Sequence, residues 1–444
     1  MSAHLSSMAA AAVAPQPVDT RVANSYPQPR RFALLAGQLA VLLALFRSFH
    51  VERPEFFTLA AIAFGGFAVS YWLPFRWKQP FFIALSLGAG AVLLGPVTLA
   101  LLLVVGLSLF AVIRSPLSYR LRVAAVVAVG ATLAAARATG WLPLPDGFWP
   151  VLGAMFMFRM IIYLYDMRHM TGGASWKDYL AYFFLLPNYY FLLFPVVDYQ
   201  TFGKSYFARD AHLIAQRGIH WMARGALQLL LYRLVYQVQA VVTPERLDIP
   251  VAAAVAGRMV LMYLLYLQVS GQFHMIVGML HLFGYDLPET NRRYLLARSL
   301  TDFWRRINIY WKDFMVKVVY FPVYFRWRKK VGEARAQVAA TALVFLVTWL
   351  LHAYQYFWLK GYFRITWTDT IFWGVLGLLV MANVLVELQP RRRREEAKWI
   401  ALLRRTAQTA ATFSVIVVLW SLWSLSSIEE WWDFVTTAIT DAYT

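Results

Sequence analysis

The chain has 444 residues, 60% of them hydrophobic and only 15% charged, with mean hydropathy +0.53 and a formal net charge of +19. An ordinary soluble domain carries about 25% charged residues, and a soluble chain of this length still needs a large polar surface. The charge deficit therefore excludes a conventional soluble globule and points to lipid as the solvent.

The first 29 residues are rich in Ala, Pro and Ser and are expected to be a disordered tail, without the pattern of a cleavable signal peptide. A spanning helix needs about 20 mostly apolar residues. Such runs lie near 32–46, 56–74, 80–95, 97–113, 122–138, 148–165, 178–197, 217–242, 251–283, 307–325, 336–359, 367–388 and 403–425. Pro96 splits the run from 80 to 113 into two helices. Pro187 and Pro195 predict bent or re-entrant pieces in 178–197. Arg217, Arg224 and Arg233 predict that 217–242 lies partly at an interface. The expected fold is an all-α polytopic integral membrane protein of about 11–13 embedded helices, some short or re-entrant, around a central tunnel or funnel.

Short-loop cations set orientation. Arg30 and Arg31 place the N-terminus inside. Arg76 and Lys78, then Arg114, Arg120 and Arg122, fall on the same side. So do Arg326, Arg328, Lys329, Lys330 and Arg335, and the run Arg391 to Arg394 with Lys398, Arg404 and Arg405. Glu429, Glu430 and Asp433 then fall outside, with the C-terminus. This scatter over loops, with no basic domain, gives no track for nucleic acid. It suits anionic headgroups instead. The chain has no cysteine, which excludes disulfides, thiolate metal sites and a cysteine nucleophile.

The densest polar signal is residues 287–358, where charged groups run into a segment as apolar as lipid. His352 lies in the uncharged stretch from Val338 to Leu359. Its helix starts near residue 336, so at about 1.5 Å per residue it lies roughly two-thirds of the way across the hydrocarbon. From position alone it is either a hydrogen-bond partner between helices or a reactive group. Asp302, Arg305, Arg306 and Lys312 form either an interfacial ion cluster or a phosphate-binding set. His274 and His281 are seven residues apart on one helix, but no acidic or cysteine ligand stands near them, so packing or tunnel lining is expected and no metal. Asp166 and Asp198 flank apolar runs and are expected at an interface.

Residues 287–322, LPETNRRYLLARSLTDFWRRINIYWKDFMVKVVYFP, resemble the signature of membrane-bound O-acyltransferases, nearest the alginate O-acetyltransferase branch. Pro288, Glu289 and Asn291, Leu296 to Ser299, Asp302 to Arg306, and Tyr320 with Pro322 carry the similarity. QVSGQFHMIVGMLHLFGY at 268–285, IIYLYDMRH at 161–169 and LLPNYYFLLFPVVDYQTF at 185–202 are similar to further landmarks in the same order. The resemblance covers about residues 155–388, and the first 150 residues match only in hydropathy. It implies an N-terminal set of helices at 30–150, an acyltransferase core at 151–390, and a basic loop with a last helix at 391–444.

His352 fits the family's invariant histidine. Asn308 stands where the polysaccharide branch has a second histidine, two residues after the Arg-Arg pair. The resemblance implies transfer of an acyl group from a thioester to a hydroxyl of a glycan, lipid-linked sugar or other envelope molecule. His352 would be the general base, with Asn308 polarising the carbonyl or orienting the acceptor. Arg305, Arg306 and Lys312 are expected to bind the donor, and Asp302, Trp304, Gln272, His274 and Tyr356 to line the tunnel. The donor is acyl-CoA or an acyl carrier protein, and no tightly bound cofactor is expected. Implied partners are membrane lipid and an extracytoplasmic esterase-like protein, in a bacterial cytoplasmic membrane. Two alternatives remain at this point. One is a transporter or flippase, although the inverted repeats typical of that class are not visible. The other is acylation of a protein or a small-molecule amine.

Overall fold

The computed structural model describes residues 27–170, 175–389 and 397–440. Most of the N-terminal tail and the run Arg391 to Arg394 lie outside the described residues. Helices come in the order α1 (Pro29–Phe49), α2 (Pro54–Trp72), α3 (Phe75–Leu94), α4 (Pro96–Arg114), α5 (Tyr119–Thr139), α6 (Phe148–His169), α7 (Trp176–Phe183), α8 (Tyr199–Ser205) and α9 (Ala211–Gln239). There follow α10 (Pro244–Leu247), α11 (Val251–Leu264), α12 (Leu267–Leu282), α13 (Leu300–Arg306), α14 (Ile309–Met315) and α15 (Phe321–Val331). The chain closes with α16 (Glu333–Lys360), α17 (Trp367–Leu388), α18 (Lys398–Ser424) and α19 (Ile428–Thr440). No strand occurs among the described residues, only a bridge between Tyr206 and Tyr285. Ten helices there are long and apolar enough to cross a membrane: α1 to α6, α11 with α12 as one unit, α16, α17 and α18.

The other apolar runs depart from long helices for legible reasons. Gly95 (φ +84°) and Pro96 separate α3 from α4, the break that proline predicts. The stretch 178–197 is one short helix, a 3-10 turn at Leu186–Tyr189 and extended chain. The stretch 307–325 divides into α14, a π-turn at Val316–Tyr320 and the start of α15.

Such irregular backbone in an apolar bundle must find its hydrogen bonds inside the protein. Arg159 of α6, buried, supplies several of them. Its guanidinium donates to the carbonyls of Tyr182 (3.0 Å) and Phe183 (3.3 Å) and to Asn188 Oδ1 (2.7 Å). The same group stacks over the Phe194 ring at 4.0 Å. Tyr182 donates its hydroxyl to the Val197 carbonyl at 2.6 Å, securing the returning limb.

The helix α9 runs along α12 for much of its length. Glycines permit the approach: a Cβ on Gly225 would stand 2.7 Å from the Gly271 carbonyl oxygen, and one on Gly278 would stand 2.7 Å from that of Gly218. Small residues let helix backbones meet in this way. The three arginines are each answered within the chain. Arg217 pairs with Asp286 (2.5 Å) and Arg224 with Glu289 (3.1 Å), while Arg233 donates to the Phe49 and His50 carbonyls. Burial alone pushes the Asp286 carboxyl up, but the His281 ring at 3.5 Å with Arg217 and Arg209 outweighs it and holds Asp286 below its ordinary value.

These contacts also sort the helix ends. The Tyr71 hydroxyl meets the Gln28 backbone, so the start of α1 and the end of α2 share one end of the bundle. Arg233 meets Phe49 and His50, so the far end of α9 shares the other.

Two substitutions test this packing. Gly225→Leu should destabilise the protein by about 1–3 kcal/mol or more, since the new side chain meets backbone rather than a movable tip. Arg159→Met should cost about 3 kcal/mol or more, because three acceptors lose their donor in an apolar setting. Thermal unfolding in detergent reads both; melting unchanged from wild type would contradict them.

Candidate active site

His352 lies in the second half of α16, with partly accessible surface. Its Nδ1 is 2.8 Å from the Thr348 carbonyl one turn earlier. A carbonyl only accepts, so Nδ1 carries the proton and the Nε2 lone pair is left free. No hydrogen bond to Nε2 occurs among the described residues. Thr348 is itself held: its hydroxyl accepts from Trp311 Nε1 at 3.3 Å.

Indole rings surround the imidazole. Trp373 of α17 lies 4.6 Å away between centroids, Trp311 of α14 at 5.4 Å and Trp423 of α18 at 6.3 Å. His352 opens into a cavity of about 480 Å³ walled by Trp349, Trp373, Trp420 and Trp423, with Gln355, Tyr356, Arg364 and Asp369 among its polar residues. These residues belong to the late turns of α16, the early turns of α17, the connection between them and the end of α18. The cavity thus lies towards one end of the bundle. Arg305, Arg306 and Lys312 are not among its lining residues.

Asp369 organises that rim. It is in the first turn of α17, where Thr366 caps its N–H (3.2 Å) and donates a hydroxyl to its Oδ2 (2.6 Å). Its Oδ1 accepts from Trp423 Nε1 at 2.6 Å, fixing one wall of the cavity. Arg364 Nε is 4.0 Å from Oδ2.

Asn308 is one element away. It sits at the N-cap of α14 with φ +38°, a conformation that asparagine tolerates. Its Oδ1 accepts from the Trp311 backbone N–H at 3.3 Å, and its own N–H donates to Asn291 Oδ1 at 2.8 Å. It therefore positions the helix whose Trp311 flanks His352. Its side-chain N–H groups have no hydrogen-bond partner among the described residues.

The other expected site residues disperse. Tyr356 lines the His352 cavity, with its hydroxyl 3.2 Å from that of Tyr362. Asp302 is bound by Arg306 (2.7 Å) and by the Arg298 N–H (3.0 Å), and Trp304 packs on Phe345. Gln272 donates to Glu52 Oε1 (2.9 Å), which shares its carboxylate with Tyr190. His274 bonds Gln228 at 2.6 Å and stacks on Trp221, tying α12 to α9. None of these four lines the cavity at His352. The three cations expected to bind the donor hold carboxylates instead: Arg305 holds Glu387 (3.1 Å), Arg306 holds Asp302, and Lys312 holds Asp313 (2.5 Å).

Asp166 and Asp198 are not merely interfacial. They converge on Lys317, in the π-turn, at 2.5 and 3.0 Å. That triad ties α6 and the returning limb of 178–197 to the segment leading into α15. No cluster of three His, Cys, Asp or Glu able to hold a metal occurs among the described residues. Sequence reasoning did not single out Trp373, Trp423, Asp369, Lys317 or Arg159. The readable signals were the charges of Arg159 and Lys317 inside apolar runs.

No family model and no curated protein matches this chain.

The cap at Asn308 separates structure from chemistry. Asn308→Gly should keep stability to within about 0.5 kcal/mol, because glycine accepts a positive φ and replaces a cap well. Asn308→Ala should cost about 1–2 kcal/mol. Thermal melts check this order; equal losses would show that neither the cap nor the backbone angle matters.

Proposed function

We propose that this chain is an integral membrane acyltransferase of the membrane-bound O-acyltransferase type, moving an acyl group from a thioester to a hydroxyl. The observation that supports this reading best is the free Nε2 of His352 in a cavity, with Nδ1 held by a carbonyl. An imidazole so arranged takes a proton from an alcohol as the alcohol attacks.

In the proposed reaction Nε2 removes the hydroxyl proton while the acceptor oxygen bonds to the thioester carbonyl carbon. The tetrahedral oxyanion collapses, the C–S bond breaks, and the imidazolium returns the proton to the departing thiolate. The products are an ester and a free thiol. The unpartnered amide N–H groups of Asn308 are the proposed donors to the carbonyl oxygen. The indole walls restrict water, which would otherwise hydrolyse the thioester.

The donor, acyl-CoA or an acyl carrier protein, enters from the end with Arg305, Arg306 and Lys312, where its phosphates compete with Glu387, Asp302 and Asp313. The acceptor, a hydroxyl of a glycan, lipid-linked sugar or other envelope molecule, enters by the His352 cavity. In this reading the protein sits in a bacterial cytoplasmic membrane with its N-terminus inside, its C-terminus outside and an esterase-like partner beyond the outer face. The exposed cations of Arg30, Arg31, Arg76, Arg114 and Arg120 favour that orientation.

His352→Ala should abolish transfer from labelled acyl-CoA in purified, folded protein. Near-normal turnover by that variant would overturn the proposal. Asn308→Ala should lower the rate on the order of 10²-fold if its amide serves the oxyanion. Asn308→Gly should then be equally slow despite its better stability.

A further inference from the structure

The helix α15 uses little of its surface within the protein. Tyr324 packs against Ala336 and Ala340 of α16, and Gly332 (φ +85°) turns the chain between the two helices. This holds α15 beside the first turns of α16, the level at which that long apolar helix begins. On a helix of 3.6 residues per turn, Arg326, Lys329 and Lys330 share the face away from Tyr324. All three are exposed, and none forms an ion pair among the described residues. Phe325 and Trp327 flank that face, 48% and 45% exposed. Arg328 lies 4.9 Å over the Phe325 ring. The nearby acid Glu333 turns back to Tyr324 and Gln337.

We infer that α15 is a binding site for anionic phospholipid headgroups. A helix with cations on one face and aromatic rings at its flanks lies in the plane of a membrane surface, with rings among the upper acyl chains and cations at the phosphates. Charge complementarity selects an anionic headgroup. The exposed rings at the level where the apolar α16 begins select a lipid, whose acyl chains lie at that level and cover them, over a soluble phosphate, which covers no apolar edge. The contrast with the neighbouring segment is direct: Arg305, Arg306 and Lys312 have their carboxylates, whereas the α15 cations do not. The inference needs the membrane setting and is independent of acyl transfer.

The full-length protein in dodecyl maltoside, titrated with phosphatidylglycerol or phosphatidylcholine and followed by thermal unfolding and native mass spectrometry, tests the inference. Phosphatidylglycerol should raise the melting temperature saturably and remain bound, and phosphatidylcholine should not. Replacing Arg326, Lys329 and Lys330 together by Gln should shift the phosphatidylglycerol midpoint about tenfold or more. Those side chains are exposed, so the unliganded melting temperature should stay near wild type. Trp327→Gln should weaken phosphatidylglycerol binding as well. Equal effects of the two lipids, an unshifted midpoint in the triple variant, or displacement of the lipid by soluble glycerol phosphate at matched concentration would overturn the inference. So would binding of polyglutamate with no response to phosphatidylglycerol.

Discussion

A single guanidinium holds the non-helical middle of this bundle. Arg159 is enclosed by the protein, yet its charge is answered by dipoles rather than by a carboxylate: two backbone carbonyls, an asparagine side chain and an aromatic face. Taking a cation out of water is costly, and leaving carbonyls unsatisfied in an apolar environment is costly too. Joined, the two costs largely cancel. The result is a kink-rich segment between α7 and α8 that has only a 3-10 turn's own hydrogen bonds and still packs deeply. The limb that returns from it ends at Asp198, which shares Lys317 with Asp166.

From that triad the constraint passes to the candidate site. Lys317 lies in the π-turn that follows α14, and α14 carries Trp311. Trp311 in turn touches His352 and the hydroxyl of the threonine whose carbonyl holds the imidazole. Asn308 fixes the other end of α14 through a cap and an αL backbone. The ring orientation at His352 thus depends on a short helix pinned at both ends. The opposite wall is set separately, by Asp369 drawing Trp423 of α18 towards α17.

Those two walls differ in how far they could be read in the sequence. The break at Pro96, the irregularity of 178–197 and the prominence of His352 were all legible, because proline and an ionisable group in an uncharged run act locally. The aromatic wall was not. With 18 tryptophans in the chain, a general preference of indoles for membrane interfaces accounts for any one of them, and only three-dimensional closure selects Trp373 and Trp423. The partners of α9 were hidden for a related reason. They are remote in sequence: Asp286 is 69 residues from Arg217, Glu289 is 65 from Arg224, and the Phe49 carbonyl is 184 from Arg233. Gly218 and Gly225, with Gly271 and Gly278, carried the one local signal, a pair of helices meeting backbone to backbone.

The same consideration governs every cation in the chain. In an apolar bundle the meaning of an arginine or lysine is set by which group answers it, and composition alone does not supply that. RR at 305–306 and RWRKK at 326–330 look alike as basic clusters. The first is neutralised by Glu387 and Asp302 and braces α13 against α17 and its own helical turn. The second is left for whatever lies outside the protein. Arg159 is the third case, answered by dipoles and fully enclosed. A charge paired internally resists displacement, because releasing it exposes two ions instead of one. An unpaired charge at the rim is free to select a partner. The division between holding the fold and meeting the surroundings therefore follows the carboxylates, whether near in sequence, as Asp302 is to Arg306, or distant, as Glu387 is from Arg305.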